Sequence, residues 1–182
     1  MRHIPNLICL LRIALIWPIV SCLHAGEYLA ALALFIVAAV SDGLDGYLAK
    51  HFSWTSNLGR FLDPLADKLL LVAVFVEAAW LGLVPWWLTA AVVARDVMIG
   101  LGALTYRLWF GPLHGRPTLI SKINTGAQLL YVMLVLLSAA AGVPPREVLD
   151  AGALLTLATT VISAWHYLNA FTRRAWWLPA RP

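Results

Sequence analysis

The chain has 182 residues, of which 62% are apolar and only 12% charged, and its mean hydropathy is +0.81. Soluble domains are roughly half apolar, so this composition excludes an ordinary water-soluble fold and points to a single integral membrane domain covering residues 1–182. The net charge of +4 is carried by Lys and Arg residues that occur singly between apolar runs; that pattern suits membrane topology and gives no phosphate-tracking surface, so no nucleic-acid partner is expected.

A helix needs about 20 apolar residues to cross a bilayer, and six such segments follow in order: about 7 to 24, 28 to 50, 61 to 82, 86 to 108, 119 to 142 and 148 to 170. Pro5, Asn6 and Arg12 break the positive-then-apolar order of a cleavable signal, so the first segment is expected to remain as a helix. Cys9 and Cys22 share that segment without metal-ligand spacing, and neither a disulfide nor a zinc site is expected. Arg2, then Lys50, His51 and Arg60, then Arg107, Arg116 and Lys122, then Arg173, Arg174 and Arg181 fall on one side. The other side holds Glu27, an uncharged turn from Gly82 to Pro85, and the stretch Arg146, Glu147 and Asp150. The positive-inside rule therefore predicts an all-α protein with six transmembrane helices, both termini cytoplasmic, in a bacterial-type inner membrane.

Four of the nine acidic residues, Asp42, Asp45, Asp63 and Asp67, sit between Ser41 and Lys68 with apolar segments on both sides. A carboxylate facing lipid at the bilayer centre costs roughly 2.5 to 3.5 kcal/mol by insertion scales, so these four must face protein and meet a cation. Asp42 and Asp45 are spaced i, i+3 and Asp63 and Asp67 i, i+4, which puts each pair on one helix face. At 1.5 Å per residue, Asp45 lies about 7 Å and Asp42 about 12 Å in from the end of the second helix. Asp63 lies about 5 Å and Asp67 about 10 Å in from the start of the third. Two antiparallel helices would thus bring four carboxylates to one shallow point on the cytoplasmic side. Four oxygen donors without His or Cys favour Mg²⁺, Mn²⁺ or Ca²⁺, and paired Mg²⁺ ions suit phosphoryl chemistry. The small residues Gly46, Ala49 and Gly59 would let a phosphorylated ligand approach the backbone, and Lys50 would offset its charge.

The string Asp42-x2-Asp45-Gly46-x2-Ala49-Lys50-x8-Gly59-x3-Asp63-x3-Asp67 resembles the signature of the CDP-alcohol phosphotransferases, membrane enzymes that join a CDP-activated lipid to an alcohol and release CMP. Lys50 stands where that family usually has Arg, which keeps the charge but loses bidentate phosphate contact. Ile4-Pro5-Asn6 with Arg12 resembles the family's N-terminal motif, with Cys9 where Ser or Thr is usual. The resemblance implies two Mg²⁺ or Mn²⁺ ions held by Asp42, Asp45, Asp63 and Asp67, with Asp67 also the catalytic base. It implies a CDP site formed by Asn6, Gly46, Ala49, Lys50 and Gly59, CDP-diacylglycerol as donor, and a homodimer.

The second half bears on the acceptor. Arg95-Asp96-Val97, Arg107 and Arg116-Pro117-Thr118-x2-Ser121-Lys122-x-Asn124-Thr125-x2-Gln128 resemble the cardiolipin synthase branch, whose acceptor is phosphatidylglycerol. The branch that uses glycerol 3-phosphate shares a Lys-x-x-Thr-x-x-Gln string. Both acceptors carry an anionic phosphate, which Arg95, Arg116 and Lys122 would suit.

Simpler roles compete at several positions. The aspartates could be helix caps paired with Lys50, Arg60 and Lys68, but caps do not require matched depths on two helices. Arg95 with Asp96 could equally form a buried structural ion pair. Lys68 reads as a local charge partner, Glu77 as the partner of a polar neighbour or a residue reaching the opposite surface, and His51, His114 and His166 as solvated or interfacial. The frequent small residues, including Gly100, Gly102 and Gly126, suit close helix packing or dimerisation. A divalent-cation transporter would need polar groups throughout the bilayer, whereas these are confined to one third of it.

Overall fold

In a computed structural model, the backbone is described for residues 4–52, 59–110 and 118–177, and the side chains for residues 10–41, 66–105 and 118–169. The described residues form six helices: α1 (Ile4–His24), α2 (Tyr28–Phe52), α3 (Gly59–Trp80), α4 (Trp86–Phe110), α5 (Leu119–Ala141) and α6 (Arg146–Trp177). All six expected segments are present as helices. α2 runs two residues past its expected end, so Asp42 and Asp45 lie about 3 Å deeper than spacing alone suggested, and α3 starts at Gly59, which puts Asp63 and Asp67 about 1.5 Å deeper.

Among the described residues, short turns reverse the chain between α1 and α2, α3 and α4, and α5 and α6. α5 begins at Thr118, whose hydroxyl oxygen accepts from the Ser121 N–H, and ends at Gly142 with φ +72°, whose N–H donates to the Ser138 carbonyl. A residue with a Cβ is strained in that left-handed conformation, so glycine suits the position. Gly82, at φ +73°, does the same in the turn from α3 to α4.

α1 packs along both α2 and α3, α5 packs against α2 and α6, and α4 packs against α6 and α3. The core between them comprises Ile19 and Leu23 of α1, Phe35 of α2, Leu71, Val74 and Phe75 of α3, Leu88 and Val92 of α4, and Val132 and Leu136 of α5, all essentially inaccessible. Outside, Trp17, Leu29, Leu119, Leu154 and Trp165 are largely exposed. A helix that is apolar on its outer as well as its inner face is suited to lipid. Three of the helical stretches, Trp86–Thr105, Leu119–Ala141 and Arg146–Asn169, are long and apolar enough to cross a membrane, and the described parts of α1 and α2 are shorter apolar helices.

Candidate active site

Asp42 and Asp45 lie in α2, and Asp63 and Asp67 in α3, at the end of the bundle where α2 finishes and α3 starts. Of the four, only Asp67 has a described side chain; those of Asp42, Asp45 and Asp63 lie outside the described residues, as do the side-chain surroundings of Asn6, Gly46, Ala49, Lys50 and Gly59. Arg116 lies wholly outside the described residues. Among the described residues no three His, Cys, Asp or Glu side chains are grouped closely enough to hold a metal.

Asp67 is one-third exposed and accepts a hydrogen bond from Nη1 of Arg12, which is almost completely buried in α1. An arginine in the third turn of an apolar helix is costly to desolvate and must meet an anion. That isolation in sequence was the signal for Arg12, yet its partner, 55 positions away, could be found only from the fold. Both residues line a small cavity of about 30 Å³, closed by Ala38 and Ala39 of α2, Leu70 and Leu71 of α3, and Thr125 and Leu129 of α5. Ala38 and Ala39 precede Asp42 by about one helical turn, so the cavity lies just beneath the aspartate level. Its walls are apolar apart from Arg12, Asp67 and Thr125, and its volume admits about one water or hydroxyl.

Beside Asp67, Lys68 turns the other way. Its ammonium donates to both carboxylate oxygens of Asp96 on α4, at 2.7 and 2.8 Å. Arg95 Nη1 donates to the same carboxylate at 2.7 Å, and Nη2 donates to the hydroxyls of Ser121 on α5 and Ser163 on α6. The Arg95 guanidinium also lies 5.8 Å from the centre of the Tyr167 ring. The network joins four helices through a carboxylate only 7% exposed and a guanidinium only 2% exposed. Of the two roles the sequence left open for Arg95, the buried ion pair with Asp96 is present, and Lys68 is a charge partner, though of Asp96 on α4 and not of a neighbour in sequence. Although fifteen residues separate Arg95 from the end of α4, it reaches the first turn of α5, because α4 extends well past the start of α5. Lys122, next to Ser121, is exposed.

A second polar contact ties α5 to α6: Asn124 Oδ1 accepts from the hydroxyls of Thr159, at 3.0 Å, and Thr160, at 2.9 Å. Ser163 and these threonines carry no motif in sequence; their periodic placement on one face of α6 was the available signal. Glu77 meets His24 at 2.9 Å near the other end of the bundle, the polar neighbour expected for it. His166 is exposed, in keeping with an interfacial role.

The fold is an all-helical bundle of six helices that carries its four aspartates on α2 and α3 at one end. Comparison with known sequences gives the family: a sequence model described as CDP-alcohol phosphatidyltransferase matches residues 2–169, and the chain belongs to that family. It is 35% identical to a probable CMP-forming cardiolipin synthase of Drosophila melanogaster, over 91% of this chain and 56% of the relative. It is 33% identical to the CMP-forming cardiolipin synthase of Homo sapiens, over 91% of this chain and 60% of the relative. It is also 31% identical to CDP-diacylglycerol--glycerol-3-phosphate 3-phosphatidyltransferase of Bacillus subtilis, over 93% of this chain and 95% of the relative. The chain thus spans less than two-thirds of the length of these two cardiolipin synthases and nearly all of the glycerol-3-phosphate enzyme.

Proposed function

We propose that this protein transfers a phosphatidyl group from CDP-diacylglycerol to phosphatidylglycerol, forming cardiolipin and CMP. The observation that carries this reading is the position of Asp67, with its carboxylate on a small, apolar-walled cavity between α1, α2, α3 and α5. A general base in such a place faces a single hydroxyl delivered from an apolar environment, which suits a lipid acceptor.

In the proposed reaction Asp67 takes the proton of the acceptor hydroxyl. The hydroxyl oxygen forms a bond to the lipid-linked phosphorus of the pyrophosphate, and the bond from that phosphorus to the bridging oxygen breaks, releasing CMP. Arg12 holds the Asp67 carboxylate at the cavity. Asn6, Gly46, Ala49, Lys50 and Gly59 take the nucleotide and its phosphates. Lys122 and Arg116 meet the acceptor phosphate directly, and Arg95, engaged with Asp96, Ser121 and Ser163, contributes its positive charge from behind.

The donor set of Asp42, Asp45, Asp63 and Asp67 consists of carboxylate oxygens alone, which fits one or two Mg²⁺ or Mn²⁺ ions. Bound there, such ions would neutralise the pyrophosphate and the charge developing on CMP. We further propose six spans, both termini and the aspartates on the cytoplasmic side of a bacterial-type inner membrane, and a homodimer; the distribution of Lys and Arg along the chain supports the orientation.

A second reading keeps the donor and the mechanism but takes glycerol 3-phosphate as acceptor. It is favoured by the near-complete coverage of the relatives that carry that name. An acceptor competition separates the two: purified protein in detergent with Mg²⁺ or Mn²⁺, CDP-diacylglycerol, and either phosphatidylglycerol or glycerol 3-phosphate, with products resolved by mass. Cardiolipin only with phosphatidylglycerol is the expected result. Phosphatidylglycerophosphate from glycerol 3-phosphate would replace it with the second reading, and CMP release with neither acceptor would reject both.

A further inference from the structure

A cavity of about 470 Å³ lies at the end of the bundle opposite the aspartates, between the turn from α3 to α4, the last turns of α5 and the start of α6. Its volume falls within the range of small-molecule sites, and its polar lining is laid out by depth. At the rim, Arg146 and Asp150 stand one turn apart on α6, both exposed, and neither side chain has an ion-pair partner among the described residues. Deeper, Ser138 lines the wall, its hydroxyl donating to the Pro144 carbonyl at 2.8 Å.

Deepest is Tyr131, ten residues or about 15 Å along α5 from Ala141. It is only 3% exposed, and its ring is stacked on Phe75 with centroids 6.2 Å apart. Gly152 of α6 fixes that ring from the other side, since a Cβ on Gly152 would stand 3.1 Å from Tyr131 Cδ2. The tyrosine hydroxyl has no hydrogen-bond partner among the described residues, although it lines the cavity. The hydroxyl oxygen is open to the cavity, so an occupant of the cavity can supply its acceptor.

The same end carries an aromatic marker of the lipid head-group level. Trp80 and Trp86, at the two ends of the turn from α3 to α4, are largely exposed and meet edge to face at 6.5 Å. A cavity whose mouth lies at that level and whose floor lies well inside the apolar zone fits a molecule that is charged at one end and apolar at the other.

We propose that this cavity binds one phospholipid whose head group carries both a phosphate and a hydrogen-bond donor. Arg146 takes the phosphate, Asp150 takes a primary ammonium of the head, and the Tyr131 hydroxyl donates to an ester carbonyl. The span agrees with this: Arg146 lies six residues, about 9 Å of helix, from Gly152 at the level of the tyrosine ring. An acyl chain would continue along the apolar side of the groove. The site is separate from the proposed reaction centre, and its ligand is a resident lipid, not a substrate.

Native mass spectrometry of the detergent-solubilised protein tests this, with dioleoyl phosphatidylethanolamine as probe and dioleoyl phosphatidylcholine as comparison. Phosphatidylethanolamine is neither donor nor acceptor in the proposed reaction, and phosphatidylcholine keeps the phosphate and ester groups but has no donor for Asp150. The expected result is one phosphatidylethanolamine retained per chain in preference to phosphatidylcholine. Retention should be weakened about tenfold by Arg146→Gln and by Tyr131→Phe, largely preserved by Arg146→Lys, and accompanied by unchanged CMP release in all three. Tyr131→Phe keeps the stacked ring, so circular dichroism melting separates loss of the site from loss of the fold. Equal retention by wild type, Arg146→Gln and Tyr131→Phe would place the lipid elsewhere and overturn the proposal. Failure of the wild type to prefer phosphatidylethanolamine would also overturn it, leaving a water-filled vestibule or a face covered by a second copy of the chain.

Discussion

Asp67 and Arg12 show how one residue's role depends on its partner. Arg12 is buried in α1 and donates to the Asp67 carboxylate, and both line the cavity. Asp67→Asn removes the proposed base with little change in size, so CMP release should fall by at least about 10²-fold while the protein remains folded; stopped CMP assays with a circular dichroism control check this. Arg12→Gln has a different expected signature. It leaves the partly buried carboxylate without its guanidinium and should lower stability by about 1 to 3 kcal/mol as well as slow turnover. Arg12→Lys should restore part of the stability, because charge is regained while the planar donor geometry is not. Thermal melting of the purified variants gives the comparison.

Among the helices, the strongest described polar coupling runs through Asp96. That single carboxylate holds Lys68 of α3 and Arg95 of its own helix, and Arg95 in turn holds Ser121 of α5 and Ser163 of α6. Asp96→Asn would leave two cations side by side in a largely buried place, at a cost of about 3 kcal/mol. Adding Lys68→Met to that variant should recover part of the loss, since the uncompensated ammonium goes with it; a double-mutant cycle by thermal melting reads the coupling. The contact of Asn124 with Thr159 and Thr160 is milder. Replacing Thr160 by Val should cost about 0.5 to 1.5 kcal/mol, with Thr159 still donating to the same oxygen. Gly142 belongs to the same scale: its positive φ ends α5, and Gly142→Ala should cost about 1 kcal/mol through backbone strain alone.

For the molecule as a whole, the proposed reaction centre and the proposed lipid cavity lie at opposite ends of one bundle. At the aspartate end, chelation of divalent cations with EDTA should abolish CMP release and added Mg²⁺ or Mn²⁺ should restore it, because no Lys or Arg can replace a metal among four carboxylates. Retained turnover after exhaustive chelation would reject the metal proposal. Six helices with soft boundaries, the matched depths of the two aspartate pairs and the family signature were all legible in the sequence. Length, hydropathy and i, i+3 or i, i+4 spacing are local properties of a helix. Partnership was not legible. Arg12 with Asp67, Lys68 with Asp96, Arg95 with Ser163, and His24 with Glu77 join positions 28 to 68 residues apart. Nothing in residue spacing specifies which faces of two helices meet, or how far one slides past another. That slide is what brings Arg95, in the middle of α4, to the first turn of α5. The cavity around Tyr131 has the same origin: it exists because Gly152, Ser138 and the turn at Gly82 converge in space, and helix packing alone decides that they do.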